Sequence, residues 1–526
     1  MIKTDILLPF NYSNEDVFAA ISLRLPVDRE EIEDFRIIKR TLNADDKNNI
    51  HYKVSIGISL SPEREAGLLK MRKKVSAVED MTLSIPSCDF PSRPLVVGTG
   101  PAGLFAALLL AEAGARPIVI ERGLDVNERT KKVDSFNKLG ILDPECNVQF
   151  GEGGAGTFSD GKLKVGSMDK YKYKMLSEFV SVGAPEDILF TVGAHVGTDK
   201  LQNIVQKIRQ KIVSLGGEVN FSTRLESLEI KDGRVVGAIA RQLRNTLKYD
   251  TNDIILATGH SARDVFEMLK IAGAHMVAKG FGIGLRIEHP REYIDKLIYG
   301  NDPPKGIGAA SYHLVTHLDN GRSVYSFCMC PGGSVVAAAS EEEGIVTNGM
   351  SEYRRDADNS NAALLVSVTP DDFGYDPMSG IDFQRKIERA AYTATGKNYR
   401  APASTAEALM TGSDSSFISV NPSYARGVER ISAEEYLPYF VTESIKKALP
   451  DFDRWLPGYY YPEAVLTGPE TRTTSPIRIL RDKNYEAVGI RGLYPAGEGA
   501  GYAGGIVSSA RDGLVVAESI ILKYKK

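Results

Sequence analysis

The chain has 526 residues, of which 43% are hydrophobic and 25% charged, an ordinary globular composition that excludes disorder and collagen-like structure. The 64 Lys and Arg against 68 Asp and Glu leave a net charge of −4, so no global field draws the protein to nucleic acid or to an anionic membrane. Four cysteines are too few for a disulfide scaffold, and the opening Met1–Asp5 lacks a basic-then-apolar leader, which together give the expectation of a cytoplasmic protein.

Residues 1–90 read as a separate module. Ser13 is placed to cap a helix running to about Arg24, with Val17 and Ile21 on one face. Phe35–Leu42 is β-prone, and Val54, Ile56, Ile58 and Leu60 alternate with small or polar residues as in a half-buried strand. Pro62 opens a second helix. With Ile6–Leu8 and Met81–Ile85 as outer strands, the order is β-α-β-β-α-β, a ferredoxin-like α+β arrangement. RNA-recognition modules share that order. Here the module's 13 Lys/Arg face 15 Asp/Glu, and its central strand offers Tyr52 without a cluster of stacking aromatics, so no nucleic-acid partner is expected. A packing or protein-contact role is. Ser87–Pro94 reads as the linker that follows.

Leu95–Val97 is a short apolar strand running into Gly98-Thr99-Gly100-Pro101-Ala102-Gly103, then a helix over Leu104–Ala113 and a strand over Ile118–Glu121. At about half the ~20 residues needed to cross a bilayer, the apolar run 104–113 is no membrane span. The glycine spacing has a physical purpose. Gly98 makes the tight turn, Gly100 admits a pyrophosphate to the backbone, and Gly103 packs the helix on the strand, whose N-terminus with Pro101 and Ala102 presents unpaired N–H groups to phosphate. Glu121, followed by Arg122, lies at the strand end where a carboxylate meets an adenosine ribose. The β-α-β context is complete, so the expectation is a dinucleotide site.

Thr198 opens a long helix with Leu201, Ile204, Val205, Ile208, Ile212 and Leu215 on one face. A hairpin follows around Asp232-Gly233, then a strand ending in Ala257-Thr258-Gly259, where small residues let a backbone approach a ligand. At the far end, Gly492–Gly501 leads through Gly504-Gly505-Ile506 into a helix over Val507–Leu522.

These segments together resemble the glutathione-reductase-like FAD superfamily over most of 94–526. Within it, Gly151–Leu163, Cys328-Met329-Cys330-Pro331-Gly332-Gly333 and Gly468–Pro476 are similar to an uncharacterised group of bacterial FAD-dependent dehydrogenases. The resemblance implies non-covalent FAD, contacts from Gly153-Gly154 to the cofactor, a backbone near Leu225 at the adenine, and Gly497-Glu498 at the ribityl chain. Many relatives carry Asp where this chain has Glu498. The helix start at Gly505-Ile506 would place its positive end near the flavin N1/C2 oxygen, favouring the anionic reduced ring.

Residues 266–464 leave that pattern and are expected to hold the substrate. Gly280–Leu285 is glycine-rich, but Arg286–Pro290 after it reads as extended chain, so no second dinucleotide fold is expected and NAD(P)H would dock only transiently as electron donor. Cys330, with Cys328, is a candidate thiol for electron exchange with the flavin, against the blander reading of core cysteines. Arg286 and His289 are candidates for a cation or proton donor at the flavin, against a surface pair of Arg286 with Glu288. Arg472 and Arg478 are placed similarly. His313 and His317 lack a third ligand, so no metal is expected.

The expected whole is an α/β protein: an N-terminal ferredoxin-like domain (1–90), a Rossmann-like FAD-binding domain in two parts (91–265 and 465–526) and an inserted substrate domain (266–464). Its expected function is FAD-dependent oxidoreductase chemistry on a small-molecule substrate, hydride passing through flavin N5. Two rival readings are a flavin-dependent RNA-modifying protein and a flavin-bound sensor that contacts a protein partner through residues 1–90.

Overall fold

The computed structural model describes the chain apart from residues 71–73, 87, 414–415 and 526. It is an α/β protein with a Rossmann-like parallel sheet. Five parallel strands form its dinucleotide sheet in the order 493–495, 254–256, 95–97, 118–120 and 218–220. Both ends of the sequence beyond residue 90 therefore meet in one sheet. The helix Pro101–Glu112 is buried at every position from Ala102 to Ala111. It is apolar all round because it is covered on all sides, notably by the C-terminal helix Ile506–Lys523, whose Ile506, Val507, Ala510 and Leu514 share its core. The helix Thr198–Ser214 buries Leu201, Ile204, Val205, Ile208 and Ile212 as its periodicity predicts; Leu215, expected on the same face, is the residue just past the helix and is 39% exposed. The hairpin at Asp232-Gly233 gains a third antiparallel strand, Asn245–Asp250.

Seven strands form a second sheet in the order 315–317, 323–330, 359–368, 281–290, 465–470, 401–405 and 428–430. Strand Phe281–Pro290 is buried at nine of ten positions, since the sheet is covered on both faces. It includes Gly280–Leu285 only as strand and its entry, as the failed nucleotide-loop context predicts. The sheet also takes in Val465–Glu470, six residues beyond the 464 limit drawn from sequence. The physical reason is that the chain completes this sheet's centre before turning back to the parallel sheet.

The N-terminal sheet has the order 34–43, 51–59, 2–9 and 76–77, a ferredoxin-like arrangement. Ser13 caps the helix Asn14–Arg24 through a reciprocal pair with Asp16. The fourth strand is Ser76–Ala77, not Met81–Ile85. Leu83 and Ile85 instead pack on the core beneath the dinucleotide sheet, so their apolar character serves the next domain. Ser87, at the start of the expected linker, lies outside the described residues. An aromatic group unexpected from the central strand alone assembles at the module's edge: Phe10 stacks on Tyr52 with centroids 5.5 Å apart, Tyr12 meets Tyr52 edge-on, and Arg40 lies over Tyr52. This group is spent inside the chain. Phe10, Leu42 and Ile50 join the core of the seven-stranded sheet, and Arg40 exchanges backbone hydrogen bonds with Phe190 and Val192.

Among the described residues no helix is long and apolar enough to cross a membrane.

Candidate functional site

A cavity of about 480 Å³ opens at the carboxyl ends of the parallel strands and reaches the seven-stranded sheet. Open α/β sheets take ligands at that edge. Gly98, with φ of +103°, turns the chain out of the first strand, and a side chain at Gly98 or Gly103 would collide with a backbone carbonyl. Gly98, Gly100, Pro101 and Ala102 face the cavity, whereas Gly103 stands behind its wall, packing helix on strand. The other strand ends add Ala257, Thr258 and Gly259, and the hairpin adds Leu225.

Opposite the glycine loop, residues 151–156 close over it. Gly153 donates to the Thr99 carbonyl at 2.9 Å and itself faces inward, while Gly154 lines the cavity. Arg129, wholly buried on the helix Val126–Leu139, shapes this loop by donating to the carbonyls of Asn147, Val148, Glu152 and Gly154 at 2.6–2.9 Å. Burial pulls its guanidinium down to about 10, against the pull of Glu121, Cys146 and Glu152. No periodicity marks Arg129; it was invisible to sequence reasoning.

Glu121 lines the cavity as expected, but its carboxylate is engaged by the protein. Oε2 accepts from the Thr99 amide and hydroxyl at 2.9 and 2.7 Å, and Oε1 from the amides of Gly123 and Gly151 at 3.0 Å each. Four donors fill a carboxylate's lone pairs, so Glu121 fastens the two loops together and is not free to bind a ribose in this arrangement. Arg122 beside it pairs with Asp264 at 2.5 Å and lies over Phe150.

At the far end the helix Ile506–Lys523 begins at Gly505 without a side-chain cap, and Gly505 and Ile506 face the cavity. Gly497 is behind the wall, donating to Asp512 at 2.7 Å. Glu498 is half-buried in the lining, and its carboxyl accepts no hydrogen bond from the described residues. Burial pushes its carboxyl up to about 8, with Lys279 pulling the other way. Asp160 forms a buried fork with Arg355 and accepts from Ser351, and Lys162 reaches the Met329 carbonyl. Burial lowers the Lys162 ammonium, opposed by Asp160.

The seven-stranded sheet supplies the remaining wall. Between Phe327, paired with Ala363, and Cys330, paired with Asn361, the strand carries a bulge. Cys328 sits in it at φ +41° and lines the cavity. Such a φ is uncommon outside glycine, and the bulge re-aims the side chain. Arg472 also faces the cavity. Its guanidinium forks onto Glu388 at 3.0 and 2.8 Å and donates to Ser261 at 3.2 Å, while Arg263 forks onto the same Glu388. Burial opposes the Glu388 charge, but the two arginines hold its carboxyl well below the usual range. His260, in the lining beside them, is held down to about 3 by burial and by Arg472 and Arg263, so its ring is neutral.

Three expectations are corrected. Arg286 and His289 do not reach the cavity, and Cys330 does not line it. Arg286 is fully buried beneath Cys328 and pairs with Glu470 rather than with Glu288. His289 is buried, its Nε2 3.0 Å from the Tyr459 carbonyl, and burial lowers it to about 4. Cys330 lies inside the sheet with its thiol 3.2 Å from the Cys328 carbonyl. Of the two later arginines, Arg472 lines the site and Arg478 is exposed, over Tyr502. Among the described residues no group of His, Cys, Asp or Glu could hold a metal ion.

Residues 93–142 match the FAD binding domain family and residues 280–473 the family described as FAD-dependent protein, C-terminal domain-like. An uncharacterised protein of Clostridium beijerinckii (strain ATCC 51743 / NCIMB 8052) is 45% identical over 514 residues, 96% of this chain and 95% of that one. The chain belongs to the same family as this clostridial protein. FAD is its cofactor. The site suits it: a glycine cradle that side chains would fill, an uncapped helix start, and a half-buried carboxyl that accepts no hydrogen bond from the described residues. Among solved structures, a variant of the E. coli quinol fumarate reductase FrdA is 12% identical, covering 82% of this chain and 70% of that one at a TM-score of 0.37. The 3-ketosteroid-delta4-(5alpha)-dehydrogenase of Rhodococcus jostii RHA1 is 13% identical, covering 84% and 100% at 0.34.

Proposed function

We propose that the protein is an FAD-dependent oxidoreductase moving a hydride, through flavin N5, to or from a small molecule. One observation carries the reading: a single open cavity runs from the glycine loop at Gly98 to Phe327 and Cys328 of the seven-stranded sheet and to Arg472 just past its strand 465–470, so a cofactor and a second ligand would share one space. FAD supplies the two-electron chemistry. Gly100 and Ala102 at one helix start would hold its diphosphate, and the helix start at Gly505-Ile506 would favour negative charge at the other end. Glu498, neutral below about pH 8, would donate a hydrogen bond to a hydroxyl as readily as accept one. Arg472, Lys162 and neutral His260 would orient the substrate. Pyridine nucleotide, where it is the donor, would dock transiently in the same cavity, since the strand Phe281–Pro290 offers no second nucleotide loop.

The test is the visible spectrum of the purified protein under anaerobic addition of NADH and then NADPH. Rapid bleaching of the flavin band marks a pyridine-nucleotide-dependent reductase; a band that stays oxidised with both nucleotides marks a dehydrogenase reduced by its own organic substrate or by a protein partner. No flavin band after FAD is supplied overturns the proposal.

A further inference from the structure

We propose that Cys328 and Cys330 are a redox pair, a dithiol that closes to a Cys328–Cys330 disulfide and exchanges its two electrons with the flavin. The inference rests on the FAD reading above and deepens it by naming the protein group that shares the cofactor's electrons.

Three observations converge on the pair. The bulge turns Cys328 out of the sheet and into the cavity, while Cys330, two residues on, stays inside directly behind it. With the backbone left-handed at Cys328 within the bulge, the Cys330 thiol lies 3.2 Å from the Cys328 carbonyl. A flat strand would send two such side chains to the same face but hold them apart. Finally, a cation is built into the floor. Arg286 donates to the Cys328 carbonyl at 2.8 Å and has its Nη1 4.0 Å from the Cys330 sulfur. The thiol of Cys330, with Arg286 and Lys162 nearby, holds the Cys328 thiol below its ordinary value, and burial with its hydrogen bond to Cys328 pushes Cys330 up. One thiol is thus readied as thiolate and the other as its protonated partner, the division a dithiol couple needs.

The balance is simple. The Cys328 thiolate and the Cys330 thiol lose one proton and two electrons between them, and one S–S bond forms. Oxidised FAD is the acceptor of the electron pair and of a proton. In the reverse direction reduced FAD would return the electron pair and its one proton: the S–S bond breaks, Cys330 takes the proton and Cys328 is left as the thiolate. Cys88 and Cys146 take no part; Cys146 is buried against Arg129 and far along the chain from the pair.

Two measurements test the pair in the full-length holoprotein. In the first, protein oxidised with diamide is denatured, alkylated and mapped by mass spectrometry. Two of the four thiols should be lost, with the peptide bearing Cys328 and Cys330 lighter by two hydrogens until dithiothreitol restores it. In the second, anaerobic dithionite titration of the oxidised holoprotein should consume twice the reducing equivalents per FAD that Cys328→Ser and Cys330→Ser each consume. Retention of all four thiols, or equal uptake by wild type and variants with the flavin band intact, overturns the pair while leaving the FAD reading standing. Absence of the flavin band overturns the FAD reading first, and thiol loss in that protein reports the disulfide by itself.

Discussion

Arg286 and Glu470 form a two-point fork across adjacent strands, Nε to Oε2 at 2.6 Å and Nη2 to Oε1 at 2.8 Å, with both side chains buried. Burial works against the guanidinium's charge, but Glu470 beside it holds Arg286 above its ordinary value. The same guanidinium holds Cys328 by its carbonyl and reaches Asn348 and Asn361, so the fork is the anchor from which the bulged wall of the cavity hangs.

Removing one partner leaves a buried charge without compensation, a loss of about 3–5 kcal/mol. Glu470→Gln is therefore expected to lower the urea midpoint steeply, whereas Arg286→Met combined with Glu470→Met recovers most of it. Equilibrium urea unfolding of the two variants and wild type checks this. Equal destabilisation by the single and double replacements would mean that the pair's packing, not its charge, holds the wall.

Glu498 gives a pH dependence whose sign follows from its environment. Its folded value of about 8 lies above the ordinary 4.5, so the folded chain binds the proton more tightly than the unfolded one. The stability it contributes is complete below about pH 4.5 and is lost as pH rises through about 8. Glu498→Gln cannot titrate. The urea midpoints of wild type and Glu498→Gln should run together below about pH 4 and separate by about pH 9, with the variant the more stable. A gap that does not change with pH would show that the carboxyl is ionised throughout.

How much of this was legible beforehand depended on distance along the chain. The turn at Gly98, the helix after it and the strand to Glu121 are local and share one phosphate-binding logic, so spacing alone located them. The cavity's other residues meet through partners remote in sequence: Asp160 with Arg355, Arg472 with Glu388, Arg129 with the carbonyls of 147–154. No short-range pattern encodes those pairs. The strand Phe281–Pro290 failed for another reason. Period-two alternation separates an inner from an outer face only where one face meets water, and here both faces are covered, so Arg286, Glu288 and His289 are all buried. Met81–Ile85 was apolar because it packs under the neighbouring domain, an origin that β-propensity does not distinguish from a strand's.

Glu388 between Arg263 and Arg472 is a second place where charge and geometry are tied. Glu388→Gln leaves Arg263 with Glu341 as its remaining carboxylate and Arg472 with at most one of the two arms of its fork at the cavity wall. A loss of about 3–5 kcal/mol is expected, with weaker retention of an anionic substrate because Arg472 is no longer held by both arms. His260→Gln, by contrast, removes a ring that is already neutral above about pH 3. It should leave the pH profile of turnover between pH 5 and 9 unchanged. A limb that disappears in His260→Gln would assign that limb to His260.

The last expectation concerns the contact that joins the two ends of the FAD-binding fold. Gly513 on the C-terminal helix lies against the backbone of Ala102, where an added Cβ would come within 2.8 Å of the Ala102 carbonyl carbon and 2.9 Å of its Cα. Ala102 is one residue past Pro101 in the glycine-loop helix, so the helices cannot separate without moving the phosphate cradle. Gly513→Ala should cost about 1–3 kcal/mol by overpacking and should release FAD on gel filtration more readily than wild type. Gly67→Ala is the control. Gly67 lies within the helix Pro62–Leu69 with nothing within 4 Å of its would-be Cβ, and alanine there restricts the unfolded chain, for a gain of about 0.4–1 kcal/mol. Thermal unfolding and flavin absorbance after desalting read both variants. If Gly513→Ala keeps its flavin and its melting temperature, the two helices have slack, and the cradle does not depend on their close approach.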